Sequence, residues 1–279
     1  MKIHVVSDIH LELGHIPHLP GGDLLLLCGD TVVAYKLAHD IDGHAGVCET
    51  FFTKQVSKYA RILVLMGNHE HYHGVIDDTP TIYRSFLAEF APHARLLDND
   101  VEVIDGTAFV GSTLWAPCQR NREPWVESYI GDGMNDFRLI KTLDDAESFP
   151  GVRRFTTADA RARHKKAVAW IKRIVKKHGR VVVMTHHAPS LACNTKYKSS
   201  GHPSGDVLTP AYCSDLESIM HLNPHISHWL HGHTHHDTDI LIGNTRVMSN
   251  QHGYWGHEYI ARNFDAARGE FEIKQEVMA

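Results

Sequence analysis

The chain opens with short, largely apolar runs, and polar clusters begin where those runs stop. Residues 3–7 (IHVVS) and 24–28 (LLLLC) run into Asp8 and Gly29-Asp30, and residues 61–66 (RILVLM) run into Gly67-Asn68-His69-Glu70. Apolar runs this short read as strands buried on both faces of a sheet. Residues 101–105 and 108–112 flank Gly106 and predict a hairpin. Residues 181–185 (VVVMT) and 226–230 (ISHWL) predict two more strands, ending at His186 and at the His231–His235 segment. The stretch 47–60 reads as a helix. So does 157–178, where Ala160, Ala167, Ile171, Ile174 and Val175 make one apolar stripe, Thr156 or Thr157 can cap, and Gly179 follows. Residues 238–275 predict several short strands, with turns at Gly243-Asn244 and Ala267-Arg268-Gly269. Residues 116–155 carry Pro, Gly, Asn, Asp and Trp without clear periodicity and predict an insertion or cap over a site.

Strands and helices in this order predict an α/β fold. The 279 residues suit one domain. In such sheets ligands gather at the carboxyl ends of the strands. The polar clusters therefore predict one composite site assembled from five loops.

Composition adds little except histidine. Net charge is −5, and the hydrophobic and charged shares, 43% and 22%, are ordinary for a folded protein. No run approaches the ~20 apolar residues of a membrane span. The N-terminus does not read as a signal peptide. The five cysteines form no CxxC pair, which argues against a disulfide framework or thiolate zinc site and points to the cytoplasm. The 24 histidines, however, are either surface imidazoles or metal ligands, and only their positions decide.

Those positions favour ligands. Asp8-x-His10 follows the first strand, and residues two apart there can face one ion. Asp30 follows the second strand, behind a glycine that lets backbone approach closely. Asn68 and His69 follow the third, His186 the strand at 181–185, and His233-x-His235 the strand at 226–230. Singly, each has a bland reading: a DxH at a strand end is common, and a GD is most often a turn. The HGHTH segment is more specific, because three imidazoles in five residues are costly to bury without a partner. Together, the bland reading needs five independent accidents. Carboxylate, amide and imidazole donors without thiolate suit Mn, Fe, Zn, Co or Ni rather than Ca or Mg alone.

The ordered blocks Asp8-x-His10, Gly29-Asp30, Gly67-Asn68-His69-Glu70, His186 and Gly232-His233-x-His235 resemble the calcineurin-like metallophosphoesterase superfamily. They span residues 8 to 235. The resemblance implies two packed mixed β-sheets flanked by helices, a four-layer sandwich. It also implies two divalent metal ions, Mn or Fe favoured, and a division of ligands. Asp8, His10 and His235 would hold one ion; Asn68, His186 and His233 the other; Asp30 would bridge both. His69 would be the catalytic acid. Ser112-Thr113-Leu114-Trp115, Met134-Asn135-Asp136-Phe137-Arg138 and His186-His187-Ala188-Pro189 are similar to a set of bacterial cytosolic members. The segment GDTVVAY lacks the arginine of the protein phosphatases' GDxVDRG pattern. The GHTH form is more like cyclic-nucleotide phosphodiesterases, nucleases and small-molecule phosphoesterases.

The expected chemistry is hydrolysis of a small phosphodiester or phosphomonoester by water activated between the two ions. Other positions are weighed without promotion. His187 is a hydrogen-bonded neighbour or a substrate contact; His231 is structural. His252-Gly253-Tyr254 reads as loop packing. Arg138 either holds phosphate or braces the cap. Residues 153–180 hold eleven Lys and Arg against one Asp, so a nuclease gripping a nucleic-acid backbone is the alternative. A solvated helix face is preferred. A non-catalytic scaffold would not need a complete ligand set. Nothing in the sequence fixes the oligomeric state.

Overall fold

The computed structural model describes residues 1–119, 123–144, 151–194 and 203–273. Its strands are β1 (Lys2–Val6), β2 (Gly22–Leu27), β3 (Tyr59–Val64), β4 (Ala94–Leu96), β5 (Asp100–Ile104), β6 (Thr107–Ser112), β7 (Lys141–Asp144), β8 (Gly151–Arg154), β9 (Val181–Thr185), β10 (Ile226–Leu230), β11 (Asp239–Ile242), β12 (Thr245–Met248) and β13 (Glu270–Glu272). One sheet has the order β13-β1-β2-β3-β4, the other β11-β12-β10-β9-β6-β5, and β7-β8 is a separate hairpin. Both large sheets are mixed: β1 through β4 run parallel with β13 antiparallel, and β6, β9, β10 and β12 run parallel with antiparallel edges β5 and β11.

The apolar runs are buried on both faces, as their composition requires. Along β2, Leu24 and Leu26 face the other sheet, meeting Phe109, Val182 and Leu230, while Leu25 and Leu27 face helices. Those helices are α2 (His44–Lys54), preceded by α1 (Ala34–His39), and α3 (Thr79–Phe90), through Phe51, Phe52, Tyr83 and Phe86. Behind the second sheet lies α6 (Thr157–Ile174), after α4 (Pro124–Gly133) and α5 (Asp136–Leu139). Its Ala167 and Ile171, with Val175, cover Val181, Val183 and Trp229. The layers are helix, sheet, sheet, helix.

Element positions follow the sequence reading to within a residue or two at most sites. The Asp105-Gly106 turn takes left-handed backbone at both residues, as a tight hairpin demands. Thr156, not Thr157, caps α6, in a reciprocal capping box with Asp159. One helix differs. The stretch 47–60 does not stay helical: α2 ends at Lys54, a single 3-10 turn follows, and Tyr59 opens β3 opposite Gly22. Pairing with the whole length of β2 overrides local helix preference there. The region 116–155 has short elements that periodicity does not show: α4, α5 and the β7-β8 hairpin, around a core of Trp115, Val126, Ile130, Phe137 and Phe155. Residues 120–122 and 145–150 of that region, and 274–275 of the predicted tail, lie outside the described residues.

Candidate metal centre

Every predicted site residue lies at the carboxyl end of a parallel strand, and all eight are brought together. Asp8 and His10 follow β1, Asp30 follows β2, Asn68 and His69 follow β3, His186 follows β9, and His233 and His235 follow β10. Three overlapping groups of buried donors result: Asp8, His10 and His235; Asp30, His186 and His233; and His10, Asp30 and His69. Asp30 belongs to two of the three. Its Oδ2 lies 3.3 Å from His186 Nε2, 3.9 Å from His10 Nε2 and 4.0 Å from His69 Nε2. Asn68 Oδ1 is 2.9 Å from His186 Nε2. His10 Nε2 and His235 Nε2 are 3.1 Å apart, and His235 Nε2 is 3.5 Å from Asp8 Oδ1.

The backbone here is bent to make this convergence. Asp8, His10, Asp30, His233 and His235 all hold left-handed φ, between 48° and 70°. Such backbone costs a non-glycine residue about 1–3 kcal/mol, so it persists where surrounding structure imposes it. Two glycines give the carboxylate and imidazole room. A Cβ on Gly67 would sit 2.2 Å from Asp30 Oδ1, and one on Gly29, at φ 92°, would sit 2.5 Å from His186 Nδ1.

Side chains behind the cluster fix its orientation. His186 Nδ1 donates to the Cys28 carbonyl at 2.9 Å, and His235 Nδ1 pairs with Glu258. Glu12 Oε1 accepts from His10 Nδ1 at 3.1 Å and from His69 Nδ1 at 2.7 Å. Holding Nδ1 in this way turns Nε2 toward the centre, the usual arrangement behind a metal-bound histidine. Glu70 accepts the backbone N–H groups of Asp30, Thr31, Val32 and Gly67, at 2.6–3.2 Å, and so ties the second loop to the third.

The charge balance fits a cation. Burial alone would make His186 and His235 harder to protonate. Asp30 reverses this at His186, raising it to about 10, and Asp8 and Glu258 raise His235 to about 9. Burial opposes ionisation of Asp30 too, yet the facing imidazoles hold it well below the usual carboxylate range. These protons sit where a bound cation would displace them. His233 behaves differently. Burial, then His187 and His186, push it well below its ordinary value, and its buried Nε2 has no hydrogen-bond partner. A buried imidazole kept neutral, with an unpartnered nitrogen beside a carboxylate, is what a metal ligand requires.

A cavity of about 190 Å³ opens onto the cluster. Asp30, Asn68, His69, His233 and His235 line it, joined by Tyr72, Tyr212 and Tyr254, and by Gly133, Met134 and Asn135 from the region 116–155. Burial lowers His69, but Asp30 and Glu12 outweigh it and raise the imidazole to about 8. Tyr254 corrects the loop-packing reading: its hydroxyl is 3.2 Å from His69 Nε2. No sequence pattern singled out Glu12, two residues past a motif, as the partner of both His10 and His69. His187 Nδ1 meets the Thr113 carbonyl at 3.2 Å and its ring packs 4.1 Å from His233, a neighbour's position. His231 is fully buried against its own loop, as a structural residue would be. Arg138 stands apart from this cavity. Its Nη2 donates to Asn135 Oδ1 at 2.6 Å, and it lines a different pocket with Tyr35, Lys36 and His73.

The model of the calcineurin-like phosphoesterases matches residues 1–237. The chain belongs to that family. This calcineurin-like phosphoesterase is thus a metal-dependent phosphoester hydrolase, and its buried Asp and His groups can hold metal. It is 29% identical over 271 residues to the uncharacterized protein L509 of Acanthamoeba polyphaga mimivirus, across 92% of each chain. Its fold resembles that of a phosphopantetheinyl hydrolase from Mycobacterium tuberculosis, with a TM-score of 0.57 and 13% identity over 92% of this chain and 93% of that one. Among the described residues, no helix is long and apolar enough to cross a membrane.

Proposed function

We propose that this phosphoesterase hydrolyses a small phosphodiester or phosphomonoester with two divalent ions, Mn or Fe favoured. Asp8, His10 and His235 hold one ion; Asn68, His186 and His233 hold the other; Asp30 is shared. The observation that carries this reading is Asp30 Oδ2, which faces imidazoles of both groups from 3.3 to 3.9 Å. Such ions, when bound, supply an activated water and neutralise phosphoryl charge.

The chain's own groups do the rest. Glu12 holds His69 by Nδ1, which leaves Nε2 facing the cavity. From there it gives a proton to the departing oxygen, help typically worth about 10²–10⁴-fold. Tyr254 keeps that nitrogen facing the cavity through its hydroxyl. Residues 116–155 serve as a cap within a single domain, a reading supported by Gly133, Met134 and Asn135, which join the strand-end loops in lining the cavity. A cytoplasmic location belongs to the same reading, supported by five buried free cysteines.

The deciding experiment is a metal-reconstituted panel of chromogenic mono- and diesters, cyclic nucleotides, and single-stranded DNA and RNA. Metal-dependent turnover of a small ester is expected. Turnover of nucleic acid alone would replace this reading with the nuclease.

A further inference from the structure

Asn68 faces a difficulty that the other site residues do not. An amide offers an acceptor on one side and two donors on the other, in nearly the same shape. Only the oxygen can meet a cation. A carboxylate presents oxygen either way round, and Cys28, Glu12 and Glu258 set the imidazoles of His186, His10, His69 and His235. The orientation of Asn68 depends on what its Nδ2 touches.

Asn68 Nδ2 donates to Asp136 Oδ1 at 2.9 Å and to the Tyr72 hydroxyl at 3.1 Å, and that hydroxyl in turn donates to the same Asp136 oxygen at 2.8 Å. Two donors converge on that one acceptor, so the amide's NH₂ side must face Asp136 and its oxygen must face His186. Asp136 is 3% exposed, and α5 carries it from the region 116–155. That region is fastened to the chain just after His69. His73 N donates to the Leu139 carbonyl at 2.9 Å, Ile76 N to the Lys141 carbonyl at 2.8 Å, and Lys141 N to the Gly74 carbonyl at 3.0 Å.

We propose that Asp136 is a positioning residue that holds the Asn68 amide with its oxygen toward the metal centre. The region 116–155 thereby completes that centre as well as covering it. This rests on the reading of Asn68 as a ligand.

The test exploits the symmetry of a carboxylate. Purified full-length variants are titrated with Mn²⁺ by calorimetry, metal content is measured by elemental analysis, and circular dichroism melting checks folding. Asp136→Ala removes the acceptor that commits the Tyr72 hydroxyl to donating, so that hydroxyl can then meet either end of the amide and Asn68 is free to turn. One ion should bind about 10–100-fold more weakly, the usual effect of removing such a partner. Adding Asn68→Asp to Asp136→Ala should restore most of that affinity, because either oxygen then faces the ion. Asn68→Asp alone sets two carboxylates against each other and should weaken binding. A substitution that harms in one background and rescues in the other is not the signature of a purely structural residue, whose losses would add. Should Asp136→Ala fail to fold, the pair Asn68→Asp with Asp136→Asn carries the test: it preserves charge and reverses the hydrogen bond. Near-normal affinity is expected for this pair.

Asn68→Ala separates the two readings. If it keeps both ions, Asn68 is no ligand, and the proposal falls with that reading. If it loses one ion while Asp136→Ala binds normally, or while Asn68→Asp rescues nothing, only the positioning role is overturned.

Discussion

Glu12 Oε1 lies 2.7 Å from His69 Nδ1 and 3.1 Å from His10 Nδ1, so one carboxylate oxygen holds two imidazoles by the same edge. In the proposed function these histidines differ. His10 is a ligand, and His69 is the acid. A ligand's loss should empty a site, whereas an acid's loss should slow only those substrates that need its proton. His69→Ala is expected to retain two ions per chain and to lose roughly 10²–10⁴-fold in turnover on alkyl esters. The loss should shrink on nitrophenyl esters, whose leaving group departs unaided. Metal analysis beside turnover on both ester types checks this, and a missing ion or an equal loss on both would mean that His69 is not the general acid.

Gly67→Ala tests how tightly the loops are drawn together. Its Cβ would meet Asp30 Oδ1 at 2.2 Å and His186 at 2.7 Å, and neither is the free end of a flexible chain. Such overpacking typically costs 1–3 kcal/mol. Thermal melting should show a drop of about that size, with weakened metal binding alongside it. Wild-type values for both would mean that the loops have slack.

Asp159 predicts a pH-dependent contribution to stability away from the metal centre. Burial works against its ionisation, but Arg153 and the Thr156 cap outweigh this and lower it to about 2. A carboxyl depressed in the folded state stabilises above its unfolded value, about 4, and loses that contribution as pH falls through 2. Asp159→Asn keeps an acceptor for the cap but loses the charge facing Arg153, and should therefore cost about 0.5–1 kcal/mol at pH 7, solvent screening holding a partly exposed pair to that size. The gap from wild type should close between pH 4 and pH 2. Denaturant melts across that range give the answer; a gap independent of pH would exclude the ionised carboxylate as its source.

The basic stretch 153–180 is partly spent on local pairs. Arg153 meets Asp159, Arg161 meets Glu127, and Arg163 meets Asp77, at 2.7–2.8 Å. Reversing Lys165, Lys166, Lys172 and Lys176 to Glu should leave turnover of a small diester unchanged. Lost affinity for nucleic acid, with a flatter salt dependence, would instead support the nuclease.

How much of this was legible beforehand follows from what sequence patterns can carry. Val181–Thr185 and the four leucines that end β2 were readable because burial on both faces leaves a nearly unbroken apolar run. The convergence of the eight predicted residues was readable because each follows such a run within a few positions. Glu12, Asp136 and Glu258 were not, because what assigns them is a partner distant in sequence: Glu12 and His69 are 57 positions apart, and Asn68 and Asp136 are 68. Tyr254 was seen and set aside, since an aromatic in a late loop has no pattern that separates packing from reach. The elements α4 and α5 escaped because they bury a few residues against one another rather than one long stripe.

The most direct test is anomalous diffraction from metal-loaded crystals. The account predicts two peaks roughly 3.5–4 Å apart, the spacing of two-metal centres, with the Asp30 carboxylate between them. Asp8, His10 and His235 should surround one peak, and Asn68, His186 and His233 the other. A single peak, or two peaks with Asp30 turned away from both, would contradict it.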